Sequence, residues 1–134
     1  MSTNSEDLSG TFDLIVLGGG PAGASAAGSA GFLGRRTALI EMAEQLGGSG
    51  LNTGTIPSKT LRETALVLSG WRSRQLHGVD LSLKREATVG DFMRHANHVR
   101  TTNRARVEAR LDQRGVTRVR GAGSFVDPYT VRVR

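Results

Sequence analysis

The stretch Leu14-Ile15-Val16-Leu17-Gly18-Gly19-Gly20-Pro21-Ala22-Gly23 decides how this chain is read. Four branched apolar residues, with Phe12 and Asp13 before them, form the pattern of a buried strand that three glycines bring to a stop. Residues 21–34 are mostly Ala, Ser and Gly, a helix that is weak by propensity and must be held by tight packing. Gly18, Gly20 and Gly23 therefore fit G-x-G-x-x-G directly at a strand-to-helix junction. Gly18 permits the tight turn, Gly20 lets a pyrophosphate approach the backbone, and Gly23 lets helix and strand pack closely. Pro21 and Ala22 open the helix, whose free N–H groups and dipole favour an anion. Ala27, Ala30 and Gly34 continue a small-residue face toward the sheet.

Working outward, residues 36–41 (RTALIE) form a second strand, apolar until it ends in Glu41, 23 residues after Gly18. A carboxylate there can accept hydrogen bonds from ribose hydroxyls. Strand, turn, helix, strand and terminal acid in this register point to an ADP-containing dinucleotide. Glu41 also argues against a 2′-phosphate, because two negative groups would meet. The motif does not choose between flavin and nicotinamide.

Composition narrows the field. The chain has 134 residues, about one domain's worth. It contains no cysteine, which excludes a disulfide framework, a thiolate metal site and a cysteine nucleophile. Aromatic residues make up 4%, too few for a binder that stacks bases on exposed rings. Of 18 glycines, 11 fall between Gly18 and Gly54. The net charge of +6 is uneven: residues 1–70 carry four basic and six acidic side chains, residues 71–134 fourteen and six. A basic half invites nucleic acid, but its arginines are spread around a helical stretch and interleaved with Glu108 and Asp112, so nucleic acid is not the expected partner. Residues 14–34 lack charge but include seven glycines and a proline, unlike a membrane span. Residues 1–11 are a polar, acidic leader without the basic region of a secretory signal, so the expected location is cytoplasmic.

Further along, residues 45–57 read as a loop rich in Gly, Ser, Thr and Asn. A helix is expected from about Ser58 to Ser69, with Thr60 and Glu63 in capping-box spacing and Gly70 as its stop. Residues 71–88 read as a polar connection. Helical spacing resumes from Val89 to Gln113 through Phe92, Ala96, Val99, Val107 and Leu111, is interrupted at Asn103, and is closed by Gly115. Residues 116–119 read as a third strand, and residues 125–133 as a hairpin across Asp127-Pro128. The order predicts an α/β fold, a Rossmann-like parallel sheet with helical crossovers.

The segment Gly47-Gly48-Ser49-Gly50-Leu51-Asn52-Thr53-Gly54-Thr55-Ile56-Pro57-Ser58-Lys59 resembles the active-site stretch of the pyridine nucleotide–disulfide oxidoreductases, a family of flavoproteins. Members read roughly G-G-x-C-x-N-x-G-C-I-P-S-K here. The continuation Thr60-Leu61-Arg62-Glu63 looks most like the family's soluble transhydrogenase branch, with dihydrolipoamide dehydrogenases close by. The resemblance covers residues 11–134, and the two glycine motifs at fixed separation make it specific.

The resemblance implies FAD, its pyrophosphate at Gly18, Gly20, Pro21, Ala22 and Gly23 and its adenosine ribose at Glu41. It implies that residues 44–50, Gly48 among them, continue along the cofactor, and that Thr55 and Lys59 lie toward the flavin, where a cation stabilises negative charge on the reduced ring. It places Gly123 where the backbone passes the adenosine end. Residues 12–134 are then the N-terminal portion of an FAD-binding domain, with a helical excursion at about 58–114. The fold is expected to be incomplete at its C-terminus, because family members add an NAD(P)-binding part and an interface part. The chain departs from the family where cysteines stand: Gly50 and Thr55 occupy the redox positions, so no dithiol forms and no catalytic residue is assigned. The implied chemistry is hydride transfer between NAD(P)H and flavin, with NAD(P) a substrate only if the missing half is supplied. The partner expected beyond the cofactor is a second copy or a completing chain. A non-catalytic FAD- or ADP-binding module is the alternative.

Asp91, His95 and His98 share a helix face at i, i+4, i+7, but no fourth ligand has motif spacing and no metal is expected. His77 carries no signal. Ser25, Ser58 and Ser69 lack a nearby base pattern, which leaves a serine hydrolase unsupported.

Overall fold

The glycine breaks and apolar runs translate into a simple order of elements. The computed structural model describes residues 10–69 and 88–134. They form β1 (Leu14–Leu17), α1 (Pro21–Phe32), β2 (Thr37–Glu41), α2 (Gly48–Asn52), α3 (Thr55–Leu68), α4 (Val89–Gln113), β3 (Thr117–Arg120), β4 (Gly123–Asp127) and β5 (Thr130–Val133). β1, β2 and β3 make a parallel sheet with β2 in the middle. Leu14 lies opposite Thr37 and Leu17 opposite Ile40; on the other side Ala38 faces Thr117 and Glu41 faces Arg120. Parallel neighbours need long crossovers. α1 makes the first, and α2 to α4 lie within the second. β4 and β5 pair as a separate antiparallel hairpin with an irregularity between Phe125 and Asp127. The fold is α/β and Rossmann-like.

Side-chain alternation assigns the two faces of the sheet. Leu39 points into a core with Ala27, Leu46, Leu111 and Val116, and Val16 and Val107 pack against it. Ile15, Ala38, Ile40 and Val119 line a cavity of about 360 Å³ on the other face, shared with Tyr129, Val131 and Val133 of the hairpin. Thr37 to Ile40 are all buried, as a central parallel strand requires. α1 comes close because it has almost no side chains. A methyl group at Gly31 would lie 2.5 Å from the Arg114 carbonyl oxygen and 3.0 Å from Val116 Cγ2.

Three local readings differ from the structure. α2 forms inside the segment expected to be loop. α3 starts at Thr55, three residues before Ser58, with Gly54 at its N-cap and no side-chain cap. Thr60 is an interior residue, its hydroxyl donating to the Ile56 carbonyl at 2.9 Å. α4 runs unbroken through Asn103, whose Nδ2 donates back to the Val99 carbonyl at 2.9 Å. It begins with a capping box: the Asp91 N–H donates to Thr88 Oγ1 at 3.3 Å, and the Thr88 N–H to Asp91 Oδ2 at 3.0 Å. Residues 1–9 of the leader and residues 70–87, including Gly70 and His77, lie outside the described residues. Among the described residues no helix is long and apolar enough to cross a membrane.

Two predictions follow from the packing and the turn. Gly31→Ala overpacks the junction of α1 with α4 and β3, and lowers unfolding free energy by about 1–3 kcal/mol in urea titration. In the hairpin, the Tyr129 N–H donates to Asp127 Oδ1 at 2.7 Å. This bond, with the Thr130 hydroxyl, holds the Asp127 carboxyl below its ordinary 3.8. Since the folded value is the lower one, the turn's support is full above the ordinary aspartate range and is lost as pH falls through the depressed value. The Tyr129 amide resonance should titrate with a midpoint below 3.8.

Candidate dinucleotide-binding site

The glycine turn is built by backbone contacts. Gly18 has φ +99°, a left-handed conformation that favours glycine, and its N–H donates to the Ile40 carbonyl at 2.8 Å. A methyl group at Gly23 would overlap the Gly18 carbonyl oxygen and sit 3.2 Å from Val16 Cγ1, so α1 rests directly on the end of β1. Gly20 is the N-cap of α1 without a side-chain cap, and Pro21 follows at the first helical position. The Ala24 N–H reaches the Gly20 carbonyl at 2.9 Å. The N–H groups of Ala22 and Gly23 precede that first helical bond and have no intrahelical acceptor.

Glu41 closes the turn from the neighbouring strand. Its Oε2 accepts the N–H of Gly19 at 2.6 Å, and its Oε1 the N–H of Ala43 at 2.8 Å. An ionised carboxylate offers about four acceptor positions, so roughly two remain for hydroxyl donors. The Gly19–Glu41 bond joins two cavities. Gly19 lines one of about 280 Å³, with Gly20, Pro21, Gly47, Arg106 and Arg110. Glu41 lines one of about 550 Å³, with Ala43, Glu44, Arg118 and Arg120.

The second glycine loop folds onto the first. The Gly47 N–H donates to the Gly19 carbonyl at 2.8 Å, and a methyl at Gly48 would lie 3.0 Å from Gly20 Cα. Gly50, at the first redox position, faces Pro21: a methyl there would come 2.9 Å from the ring's Cγ. Thr55 is the exposed first residue of α3, and Lys59 is exposed one turn later. Neither lines the two cavities. Gly123 does not line them either. A methyl on it would meet Leu17 Cδ2 at 2.6 Å and Ile40 Cγ2 at 3.3 Å, so the glycine lets the hairpin close over the strand ends.

Four contributors were not read from the sequence. Asn52 Nδ2 donates to the Leu46 carbonyl at 3.1 Å, and Arg104 Nη2 donates to Asn52 Oδ1 at 3.2 Å, which ties α4 to the loop before α2. Arg106 and Arg110 come from the middle of α4 to the smaller cavity. The signal that could have found them is spacing: Asn103, Arg106, Val107 and Arg110 stand at i, i+3, i+4 and i+7, on one helix face. Asp91 belongs to the capping box of α4. Among the described residues no group of three or more His, Cys, Asp or Glu could hold a metal ion.

The family model described as pyridine nucleotide-disulphide oxidoreductase matches residues 12–133. The chain belongs to that family. A soluble pyridine nucleotide transhydrogenase of Mycobacterium bovis is 39% identical over 122 residues, which cover 91% of this chain and 26% of the relative. A dihydrolipoamide dehydrogenase of Chaetomium thermophilum is 34% identical over 125 residues, 90% of this chain and 24% of that protein. The chain thus spans about a quarter of the length of these oxidoreductases. Among solved structures, the HOCl-induced flavoprotein disulfide reductase RclA of Escherichia coli, in its Cu(II) complex, superposes with a TM-score of 0.70. That match has 22% identity and covers 93% of this chain and 25% of the other, a likeness of fold.

Asn52→Ala removes the clamp between α4 and α2. Stability should fall by about 1–2 kcal/mol for the lost bonds, and hydrogen exchange at the Leu51 and Thr53 amides should quicken.

Proposed function

We propose that residues 12–134 are the FAD-binding portion of a flavin-dependent NAD(P)H oxidoreductase, most like a soluble transhydrogenase that moves hydride between NADPH and NAD. The observation that carries this reading is the pair of cavities on either side of the Gly19–Glu41 bond. One offers α1's free N–H groups and backbone that a phosphate can approach; the other offers a carboxylate with acceptor capacity left over. A diphosphate joined to a ribose presents the complementary groups in the same order. In this reading Gly18, Gly20, Pro21, Ala22 and Gly23 receive the diphosphate, and Glu41 accepts from the ribose. Gly48 brings the second loop within reach, while Thr55, Lys59 and Gly123 serve the remainder of the cofactor.

Bound FAD supplies the capacity to accept and release hydride. The chain's own residues bind and orient it. With Gly50 and Thr55 at the redox positions and no cysteine in the sequence, no thiol relay runs through this loop. The transhydrogenase reading needs none, and the 39% identity to a protein of that name supports it. NAD(P) enters as substrate only with an NAD(P)-binding part, whether from further sequence, a second copy or a completing chain. A cytoplasmic location belongs to the same reading. The second reading, a non-catalytic FAD- or ADP-binding module, draws on the quarter-length match to whole oxidoreductases.

Titration of the purified chain with FAD, followed by flavin fluorescence, should show saturable binding that ADP competes away and Gly23→Ala abolishes or greatly weakens. The chain alone should not pass hydride from NADPH to NAD. Absence of FAD binding by the folded chain would overturn the proposal. Hydride transfer by the chain alone would overturn its need for an NAD(P)-binding part.

A further inference from the structure

We infer that Arg106 and Arg110 form a cationic clamp for the diphosphate of the bound dinucleotide, supplied by α4 across the cavity from the glycine turn. The inference rests on the dinucleotide reading above and adds to it the groups that neutralise the ligand's charge. The motif itself has no cation: residues 18–23 are four glycines, a proline and an alanine, and α1 carries no basic residue at all. Pro21 also removes one N–H from the helix start, leaving fewer backbone donors for a doubly charged group. Lys59, the nearest lysine in sequence, does not line this cavity.

The two arginines answer that deficit. They stand four residues apart on α4, so their side chains emerge from one face. Both line the cavity that holds Gly19, Gly20 and Pro21, and no acidic residue lines it. Among the described residues, neither guanidinium has a hydrogen-bond or ion-pair partner, whereas Arg118 is paired with Asp112 at 3.0 Å and Arg94 with Asp91 at 3.6 Å. The neighbouring cavity is predominantly acidic, with Glu41, Glu44, Glu108 and Asp112 on its wall against Arg118 and Arg120. Charge therefore gives the two cavities different tenants. At about 280 Å³ the cationic one is smaller than a whole drug-sized ligand needs, roughly 300–1,000 Å³, and suits one segment of an extended ligand. A guanidinium fork matches phosphate oxygens bidentately, which a lysine in the same place would not.

The test compares the wild-type chain, the double variant R106Q/R110Q and the charge-matched control R94Q/R132Q, all checked for folding by circular dichroism. The probes are FAD, inorganic pyrophosphate, and riboflavin, which lacks the diphosphate. Loss of charge-assisted bonds should weaken FAD and pyrophosphate binding by about ten-fold or more in R106Q/R110Q. Its affinity for FAD should also fall less steeply with salt than the wild type's, because the screened attraction has gone. Riboflavin binding and the control variant should show neither change. If R106Q/R110Q binds FAD with wild-type affinity and salt dependence, the clamp is overturned while the dinucleotide reading stands. If both double variants weaken binding equally, the effect is one of net charge and the clamp is again overturned. If the wild-type chain binds neither FAD nor pyrophosphate, both readings fall.

Discussion

A methyl group at Gly23 would collide with the carbonyl oxygen of Gly18, so α1 leaves the sheet with its backbone resting on the turn that precedes it. That contact sets the helix axis, and much else follows from it. With Gly28 and Gly31 on the same helix, α1 lets the end of α4 and the start of β3 approach at backbone distance. Leu111 and Val116 then reach Leu39 and Ala27 to close the core. A helix of alanine, glycine and serine contributes little stability by propensity. It is stable here because it offers no bulk, and its uncapped N-terminus is thereby fixed in place beside Glu41.

The parts of this fold whose causes are local are legible in the sequence. β1, α1 and β2 were legible because an apolar run, a glycine break and a terminal acid each act over a few residues. α2 was not. Apart from Leu51 its residues, Gly-Ser-Gly and Asn, are poor helix formers, and the helix is held from outside, by Gly47 bonding to Gly19 and by Asn52 clamped between Leu46 and Arg104. The start of α3 was misplaced because Thr60 and Glu63 imitate a capping box, while Gly54, the actual cap, offers no side chain to notice. The break expected at Asn103 rested on propensity, yet the side chain bonds to its own helix and leaves the backbone intact. The site shows the same division. The turn at Gly18, Gly20 and Gly23 and the strand-end position of Glu41 are readable from their spacing. Arg106 and Arg110 are not, because a run of arginines on a helix carries no information about which surface faces a glycine turn more than 80 residues away in sequence.

The electrostatic layout gives the site a direction. On one side of the Gly19–Glu41 bond stand the glycine turn, Arg106 and Arg110; on the other stand four acidic residues with Arg118 and Arg120. On the proposed dinucleotide reading, the anionic middle of the ligand lies toward the arginines and its hydroxyl-rich flank toward Glu41. Hydrogen bonds to both oxygens of Glu41 hold the carboxylate still, so its free acceptor positions are aimed before a ligand arrives. Such preorganisation lowers the ordering cost of binding.

The close approach of Gly50 to Pro21 limits what position 50 can carry. A first side-chain carbon there would sit 2.9 Å from Cγ of the Pro21 ring, too close for the two to keep their places. Any side chain at position 50, a cysteine included, would therefore oblige the ring of Pro21 or the short helix α2 to shift, and would couple the second glycine loop to the start of α1 by side-chain bulk as well as by backbone.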